Sequence, residues 1–322
     1  MPTDTPAAAP RPPRVRFGRT GLMVSRIGFG AAPIGLLETE RAEATRLLNL
    51  LLDRGVNLVD TAAGYRGSEE TIGAAISHRR DEFVLVSKCG YAVGDLAGEP
   101  WSAQLVAATI DRSLRLLQTD RLDVMLLHSC PLETLREGTA LGALVRAREQ
   151  GKIRFAGYSG DNEAAEWAAA HPEIAVIQTS VNIVDQVNID RVLPVCRAHD
   201  VGVMAKRPIA NAAWKDLAEQ RGTYATYAKP YTERLALLGL DPSAILRGAS
   251  GRAAWLELAM RFTLSFPEVA TAIVGTTSLA NAEANIALAA KGPLAPEQVA
   301  AVRDAFAAAR RLHPAQDWSG QT

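Results

Sequence analysis

The segment Leu122–His128, LDVMLLH, is a run of apolar residues broken only by Asp123 and closed by a histidine. A strand with one face in water alternates apolar and polar side chains, so a nearly continuous apolar run reads as a strand covered on both faces. Its last residue needs a polar partner at the point where the core stops. Seven further runs share this form: RIGFG (26–30), VNLVD (56–60), FVLVSK (83–88), IRFAGYS (153–159), AVIQTSV (175–181), VGVMAKR (201–207) and VATAIVG (269–275). Stretches with helical spacing lie between them, among them ERAEATRLLNLLLDRG (40–55), SAQLVAATIDRSLRLLQ (102–118), ETLREGTALGALVRAREQG (133–151) and NIDRVLPVCRAHD (188–200). Strands buried on both faces and alternating with helices form a parallel sheet clothed by helices, and eight such units predict an α/β fold closed as a (β/α)8 TIM barrel.

The ends of the chain and one interval stand outside this rhythm. Residues 1–14, MPTDTPAAAPRPPR, are rich in Pro and Ala without a signal-like apolar core and are expected to form a disordered tail. Residues 15–322 are then expected to make one barrel domain, entered through an N-terminal β-hairpin around Arg19-Thr20-Gly21. Residues 210–250 form a long insertion after strand 7, where a barrel connection is ordinarily far shorter. Insertions after a strand fall at the catalytic mouth, so Trp214, Tyr224, Tyr227 and Tyr231 are candidates to line or cover a pocket, or to pack inward beneath it. Trp101 and Trp318 are further candidates for pocket walls.

Composition narrows the partners. Lys plus Arg and Asp plus Glu number 35 each, with no block of like charge, so neither nucleic acid nor an anionic membrane is an expected partner. No run approaches the roughly 18 to 20 apolar residues of a membrane helix. The three cysteines, Cys89, Cys130 and Cys196, are too few and odd in number for a disulfide framework and fit a reducing, cytoplasmic compartment. Cys89 and Cys130 flank Lys88 and His128, but no CxxC or HxxxH spacing accompanies them, so no metal site is expected. The 48% apolar content suffices for a full core, and the expected partner is a small molecule.

In such a barrel the catalytic mouth lies at the C-terminal ends of the strands, which gathers Asp60, Lys88, His128, Ser159, Gln178, Lys206 and Thr276. Tyr65 follows Asp60 by one turn-like stretch. A phenol titrates near 10, and a neighbouring ammonium, Lys88, stabilises its phenolate. Asp60 can hold that lysine ionised, and His128 can orient a substrate oxygen or help pass the proton. A group that protonates an oxygen as negative charge develops there suits carbonyl reduction, with hydride delivered to carbon by a bound carrier. GFGAAP at Gly28 lacks the third glycine of a dinucleotide fingerprint, Pro33 standing in its place.

DTAAGYRGSEE (60–70), VSKCG (86–90), MLLHSC (125–130) and GRTGLMVSRIGFG (18–30) together make the chain similar to the aldo-keto reductase family, over nearly all of it from Val15 onward. The resemblance implies the same barrel, a catalytic tetrad of Asp60, Tyr65, Lys88 and His128 with Tyr65 as general acid, and an extended nicotinamide dinucleotide across the mouth. NADPH is the implied cofactor, with NADH possible. Ser159 and Gln178 correspond to the pair that holds the carboxamide. Gly275, Thr276, Ser278 and Asn285 correspond to the segment at the adenosine phosphate and adenine. Asn281 stands where many members have an arginine for the 2′-phosphate, and Ala284 where they have a glutamate. Lys206 and Arg207 stand where members have an aromatic residue against the nicotinamide. An unpaired ammonium there would oppose the positive oxidised ring, so these two cations are expected to reach the pyrophosphate or an acidic partner.

The expected activity is NAD(P)H-dependent reduction of small aldehydes or ketones to alcohols. NAD-linked oxidation of a sugar or other alcohol on the same tetrad is the alternative within enzymes. A cofactor-sensing regulatory or interaction protein with little turnover is the alternative outside them.

Overall fold

The computed structural model describes residues 11–37, 39–220 and 224–321. Most of the predicted tail, residues 1–10, lies outside the described residues. The chain enters through an antiparallel hairpin, β1 (Arg14–Arg16) and β2 (Met23–Ser25), joined by a single 3-10 turn at Gly18–Thr20. Eight parallel strands then close a barrel: β3 (Ile27–Gly30), β4 (Leu58–Asp60), β5 (Val84–Cys89), β6 (Leu122–His128), β7 (Ile153–Ser159), β8 (Ile174–Ser180), β9 (Gly202–Lys206) and β10 (Val269–Val274). Each lies beside its predecessor in sequence, and β10 pairs with β3 to complete the ring.

The apolar runs are continuous because each strand faces two cores. Leu58, Val84, Val86, Val124, Leu126, Val176 and Met204 fill the barrel interior. The intervening residues, such as Val59, Leu85, Met125, Leu127, Ile177 and Val203, pack outward against the helices. Phe17 from the hairpin is fully buried and joins the interior cluster, closing the barrel at the N-terminal ends of its strands. A Cβ on Gly202 would come within 2.5 Å of the Phe17 ring, so glycine is what lets the plug seat. With one end stopped by an aromatic ring, the open mouth lies at the other, the C-terminal ends of the strands.

The helices Arg41–Asp53 and Ala103–Leu116 match their predicted spans closely. Two predicted helices are each divided. Gly138, at φ +76°, separates Leu132–Glu137 from Thr139–Glu149, a left-handed conformation that glycine adopts without a Cβ penalty. Pro194, whose ring cannot continue a helix from the preceding turn, sits at the start of Leu193–Ala198, which follows Val187–Arg191. The insertion after β9 is built rather than extended: it contains the helices Tyr224–Leu238 and Pro242–Leu246. No helix among the described residues is long and apolar enough to cross a membrane.

Candidate active site

Asp60, Lys88, His128, Ser159 and Gln178 occupy the last inward positions of their strands, because each follows an interior residue by two: Leu58, Val86, Leu126, Gly157 and Val176. The register then sets neighbours side by side. Ser159 pairs with both His128 and Gln178, and Lys206 pairs with Ser180. Alternation and register together bring these strand-end residues to one rim, and Tyr65 follows from the loop after β4.

Lys88 is almost fully buried, and its Nζ donates to Asp60 Oδ1 at 2.7 Å and to the Thr61 carbonyl at 2.7 Å. The same nitrogen lies 5.1 Å from the centroid of the Tyr65 ring. Burial works to discharge this ammonium, but Asp60 and Tyr65 outweigh it and hold the Lys88 pKa above its ordinary value. The Tyr65 hydroxyl is raised as well: burial dominates, and the Lys88 charge pulls the other way. The Lys88 charge by itself would lower the phenol pKa; at the assembled rim, withdrawal from water is the larger effect, and the phenol stays protonated. His128 packs edge-on to Tyr65, with ring centroids 6.3 Å apart, and its pKa is pushed down to about 3 by burial and then by the charges of Lys88, Lys206 and Arg207. Its imidazole is neutral at neutral pH. Tyr91 and Trp101 wall this side, with centroids 4.8 Å apart and Tyr91 5.8 Å from His128.

Across the mouth, the Ser159 hydroxyl donates to Gln178 Oε1 at 2.9 Å, while Gln178 Nε2 is buried and makes no protein hydrogen bond of normal geometry, lying only close enough to Asp60 to favour its carboxylate. A buried amide donor left unpaired costs free energy, on the order of 1 to 3 kcal/mol, unless a ligand acceptor reaches it. A carboxamide oxygen is an acceptor of the right kind, so the residues present fit a nicotinamide here. Beyond β10, Gly275, Thr276 and Ser278 lead into the helix Leu279–Ala290. The Thr276 hydroxyl accepts from the Ser278 amide at 3.1 Å, and the Ser278 hydroxyl caps the helix by accepting from the Asn281 amide at 3.3 Å. Asn285 is buried one turn further on, and Asn281 is exposed.

Lys206 and Arg207 part company. Lys206 Nζ pairs with the fully buried Asp161 carboxylate at 2.8 Å. Asp161 also accepts from the Thr179 hydroxyl at 2.8 Å, the Ser180 amide at 2.7 Å and the Asn188 side chain at 2.8 Å. Burial opposes its charge, yet Lys206 and these donors hold its carboxyl below the usual range. The acidic partner expected for one of the two cations is thus Asp161, a residue sequence reading passed over because it sits in a loop without periodicity. Arg207 instead donates to the Gln321 carbonyl and lies 5.9 Å from the Tyr227 ring.

The insertion aromatics divide likewise. Tyr231 is fully buried, its hydroxyl donating to Asp185 at 2.8 Å, and Trp214 stacks on Trp255 at 6.0 Å; both serve packing, not a pocket wall. Trp318 is also drawn inward, onto Phe306 at 5.2 Å. Tyr227 is 51% exposed and Tyr224 half-buried, the Tyr224 hydroxyl pKa raised by burial and then by the nearby Tyr65. The segment around Trp318 is fastened by Arg234, which is fully buried and donates to the carbonyls of Asp317 at 3.0 Å and Ser319 at 2.7 Å. These long-range fastenings left no mark in the sequence.

Residues 26–306 match the aldo/keto reductase family. Among characterised proteins, the chain is 28% identical to L-galactose dehydrogenase of Arabidopsis thaliana, covering 84% of this chain and 86% of that one. It is 24% identical to the NADH-specific methylglyoxal reductase of Escherichia coli, covering 89% and 91%. Among solved structures, the holo form of an aldo-keto reductase from Bacillus halodurans superposes with a TM-score of 0.77 at 25% identity, covering 92% of this chain and 96% of that one. An aldo/keto reductase from Klebsiella pneumoniae in complex with NADP and acetate superposes with a TM-score of 0.67 at 27% identity, covering 94% and 96%. The chain belongs to the aldo/keto reductase family and is an enzyme of that oxidoreductase class.

Proposed function

We propose that the protein reduces small aldehydes or ketones with NADPH or NADH, Tyr65 acting as general acid. The observation that carries this reading is a phenol in a dry rim beside an ammonium whose charge is secured by Asp60. Bound dinucleotide supplies the hydride. Everything else falls to the chain's own residues. Gln178 Nε2, without a protein hydrogen bond of normal geometry, and Ser159 beside it hold the carboxamide. The capped start of the helix Leu279–Ala290, with Gly275, Thr276, Ser278 and Asn285, receives the adenosine phosphate, its amides and dipole favouring anionic charge. His128, neutral, offers a single N–H to orient the carbonyl oxygen. As charge grows on that oxygen, Tyr65 gives up its proton, and the Lys88 ammonium stabilises the phenolate left behind.

The relatives bear on cofactor and substrate. One structural neighbour is in complex with NADP, and one relative is named an NADH-specific methylglyoxal reductase; Asn281, lacking a guanidinium, gives this chain no cation at the position expected for the 2′-phosphate. A second reading, oxidation of a sugar, draws on the likeness to L-galactose dehydrogenase, since microscopic reversibility lets the same residues serve both directions. The aromatic wall of Tyr91 and Trp101 suits either a small apolar carbonyl or the C–H face of a sugar. The three free, buried cysteines suit a reducing compartment, and the cytoplasm is the one proposed. Turnover of an aldehyde and ketone panel with NADPH and NADH, and of an alcohol and aldose panel with NADP and NAD, tests the assignment. Reduction of several short aldehydes supports it, oxidation of aldoses alone supports the second reading, and turnover in neither direction despite cofactor binding overturns both.

A further inference from the structure

Two ammonium–carboxylate pairs stand at the strand ends: Lys88 with Asp60 at 2.7 Å and Lys206 with Asp161 at 2.8 Å. The first belongs to the proton-transfer machinery; the second has no part in it. Its place is nonetheless fixed by register. Gln178 pairs with Met204 on β9, and Lys206 is the next inward residue above Met204, so the Lys206 side chain rises beside Gln178. A nicotinamide held by Gln178 must turn the face that donates hydride toward Tyr65, in the loop after β4, and His128, at the end of β6. Its opposite face then looks toward the end of β9. The charges of both Lys88 and Lys206 lower the His128 pKa, so both ammonium groups lie near enough to act on one imidazole.

From this geometry, and resting on the oxidoreductase reading above, we infer that Lys206 stands behind the nicotinamide and that Asp161, by neutralising it, sets the relative affinity for oxidised and reduced cofactor. The oxidised ring carries a positive charge that the reduced ring lacks. A bare ammonium against the rear face would therefore penalise the oxidised form alone. The pair is well insulated, which keeps the effect from being screened: Asp161 is fully buried, and a Cβ on Gly320 would come within 2.6 Å of Asp161 Cβ, so residue 320 lies directly over it. Asp161 is thus a positioning and charge-setting residue acting through Lys206, which is itself the specificity determinant. Its neutralised charge leaves the enzyme competent to bind cofactor in both oxidation states.

The test is a charge cycle read as a ratio of dissociation constants, not as activity. NADPH is titrated by fluorescence and displaced with NADP, and the pair NADH and NAD is treated in the same way, for the wild type, Asp161→Asn, Lys206→Met and the double variant, each checked for folding by thermal melting. Burial and Arg207 already lower the Lys206 pKa, so Asp161→Asn is read at a pH low enough to keep the lysine charged; the uncompensated ammonium is then expected to weaken oxidised relative to reduced cofactor on the order of tenfold. Lys206→Met removes the cation while Asp161 keeps its donors Thr179, Ser180 and Asn188, and, read at a pH high enough to keep that carboxylate ionised, is expected to move the ratio the opposite way. The double variant is expected to return near the wild-type ratio. A purely structural role would change both affinities together and leave the ratio alone. Should Asp161→Asn not fold, Lys206→Met decides by itself. Folded variants that bind both forms with an unchanged ratio overturn the inference while leaving the oxidoreductase reading intact. A wild type that binds neither form overturns that reading, and the inference falls with it.

Discussion

Replacing Lys88 by methionine separates what the lysine does for the fold from what it does for the reaction. Its side chain is 1% exposed and that of Asp60 6%, so the substitution strands a carboxylate in a dry site, a change that typically costs about 3 to 5 kcal/mol of stability. The kinetic loss has another origin. With the nitrogen 5.1 Å from the phenol ring, Coulomb attraction at an effective dielectric of about 20 is worth roughly 3 kcal/mol to a phenolate, or on the order of 10²-fold in rate. Adding Asp60→Asn removes the stranded charge. The double variant Asp60→Asn/Lys88→Met is therefore expected to melt closer to the wild type than Lys88→Met does, while its kcat for aldehyde reduction stays as low. Melting curves and steady-state rates with NADPH measure the two quantities independently. A Lys88→Met enzyme that folds and keeps wild-type kcat would show that the ammonium plays no part in acidifying Tyr65.

Three further outcomes are expected. Because the Tyr65 hydroxyl titrates above its ordinary value of 10.0, reduction should be flat through neutral pH and fall only in strong alkali, whereas alcohol oxidation, which needs the phenolate, should rise with pH; parallel profiles in the two directions would contradict this. His128 takes up a proton near 6.5 in the unfolded chain but only near about 3 when folded, so the unfolded state binds more protons between those values and stability declines as pH falls through that window. His128→Asn should flatten that acid limb in melting temperature against pH, and an unchanged slope would place the sensitivity elsewhere. Gln178→Leu removes the unpaired amide donor and should weaken NADPH binding by about 1 to 1.5 kcal/mol, roughly tenfold, by fluorescence titration; unaltered affinity would remove Gln178 from the carboxamide site.

The barrel was legible because burial on both faces leaves an unmistakable trace in runs such as LDVMLLH and FVLVSK, and all eight of these runs are strands. Strand-end residues followed almost automatically: once a strand's inward parity is known, Asp60, Lys88, His128, Ser159 and Gln178 must share a rim. What escaped was carried by contacts between residues far apart in sequence or in loops of no period. Asp161 sits just past β7, and nothing local marks it as the partner of Lys206, 45 residues on by subtraction of their numbers. Arg234 and Asp185 form a fully buried pair, their atoms 3.9 Å apart, from an insertion helix and a loop. Tyr231 and Trp318 turned inward because such buried polar groups supply their tips with partners or cover, which amphipathic side chains need when they leave water. The net direction at Tyr65 was missed for a related reason: a sequence exhibits charges, but desolvation depends on how completely the fold encloses them.

The claim on which the rest depends is that the Tyr65 hydroxyl delivers the proton. Tyr65→Phe deletes one oxygen from a half-buried ring and leaves Lys88, Asp60 and the cofactor residues in place. Single-turnover reduction of a short aldehyde by enzyme preloaded with NADPH measures the step directly. A fall on the order of 10³-fold with NADPH affinity unchanged is the predicted result. A phenylalanine enzyme that still reduces the aldehyde within tenfold of the wild-type rate would contradict it.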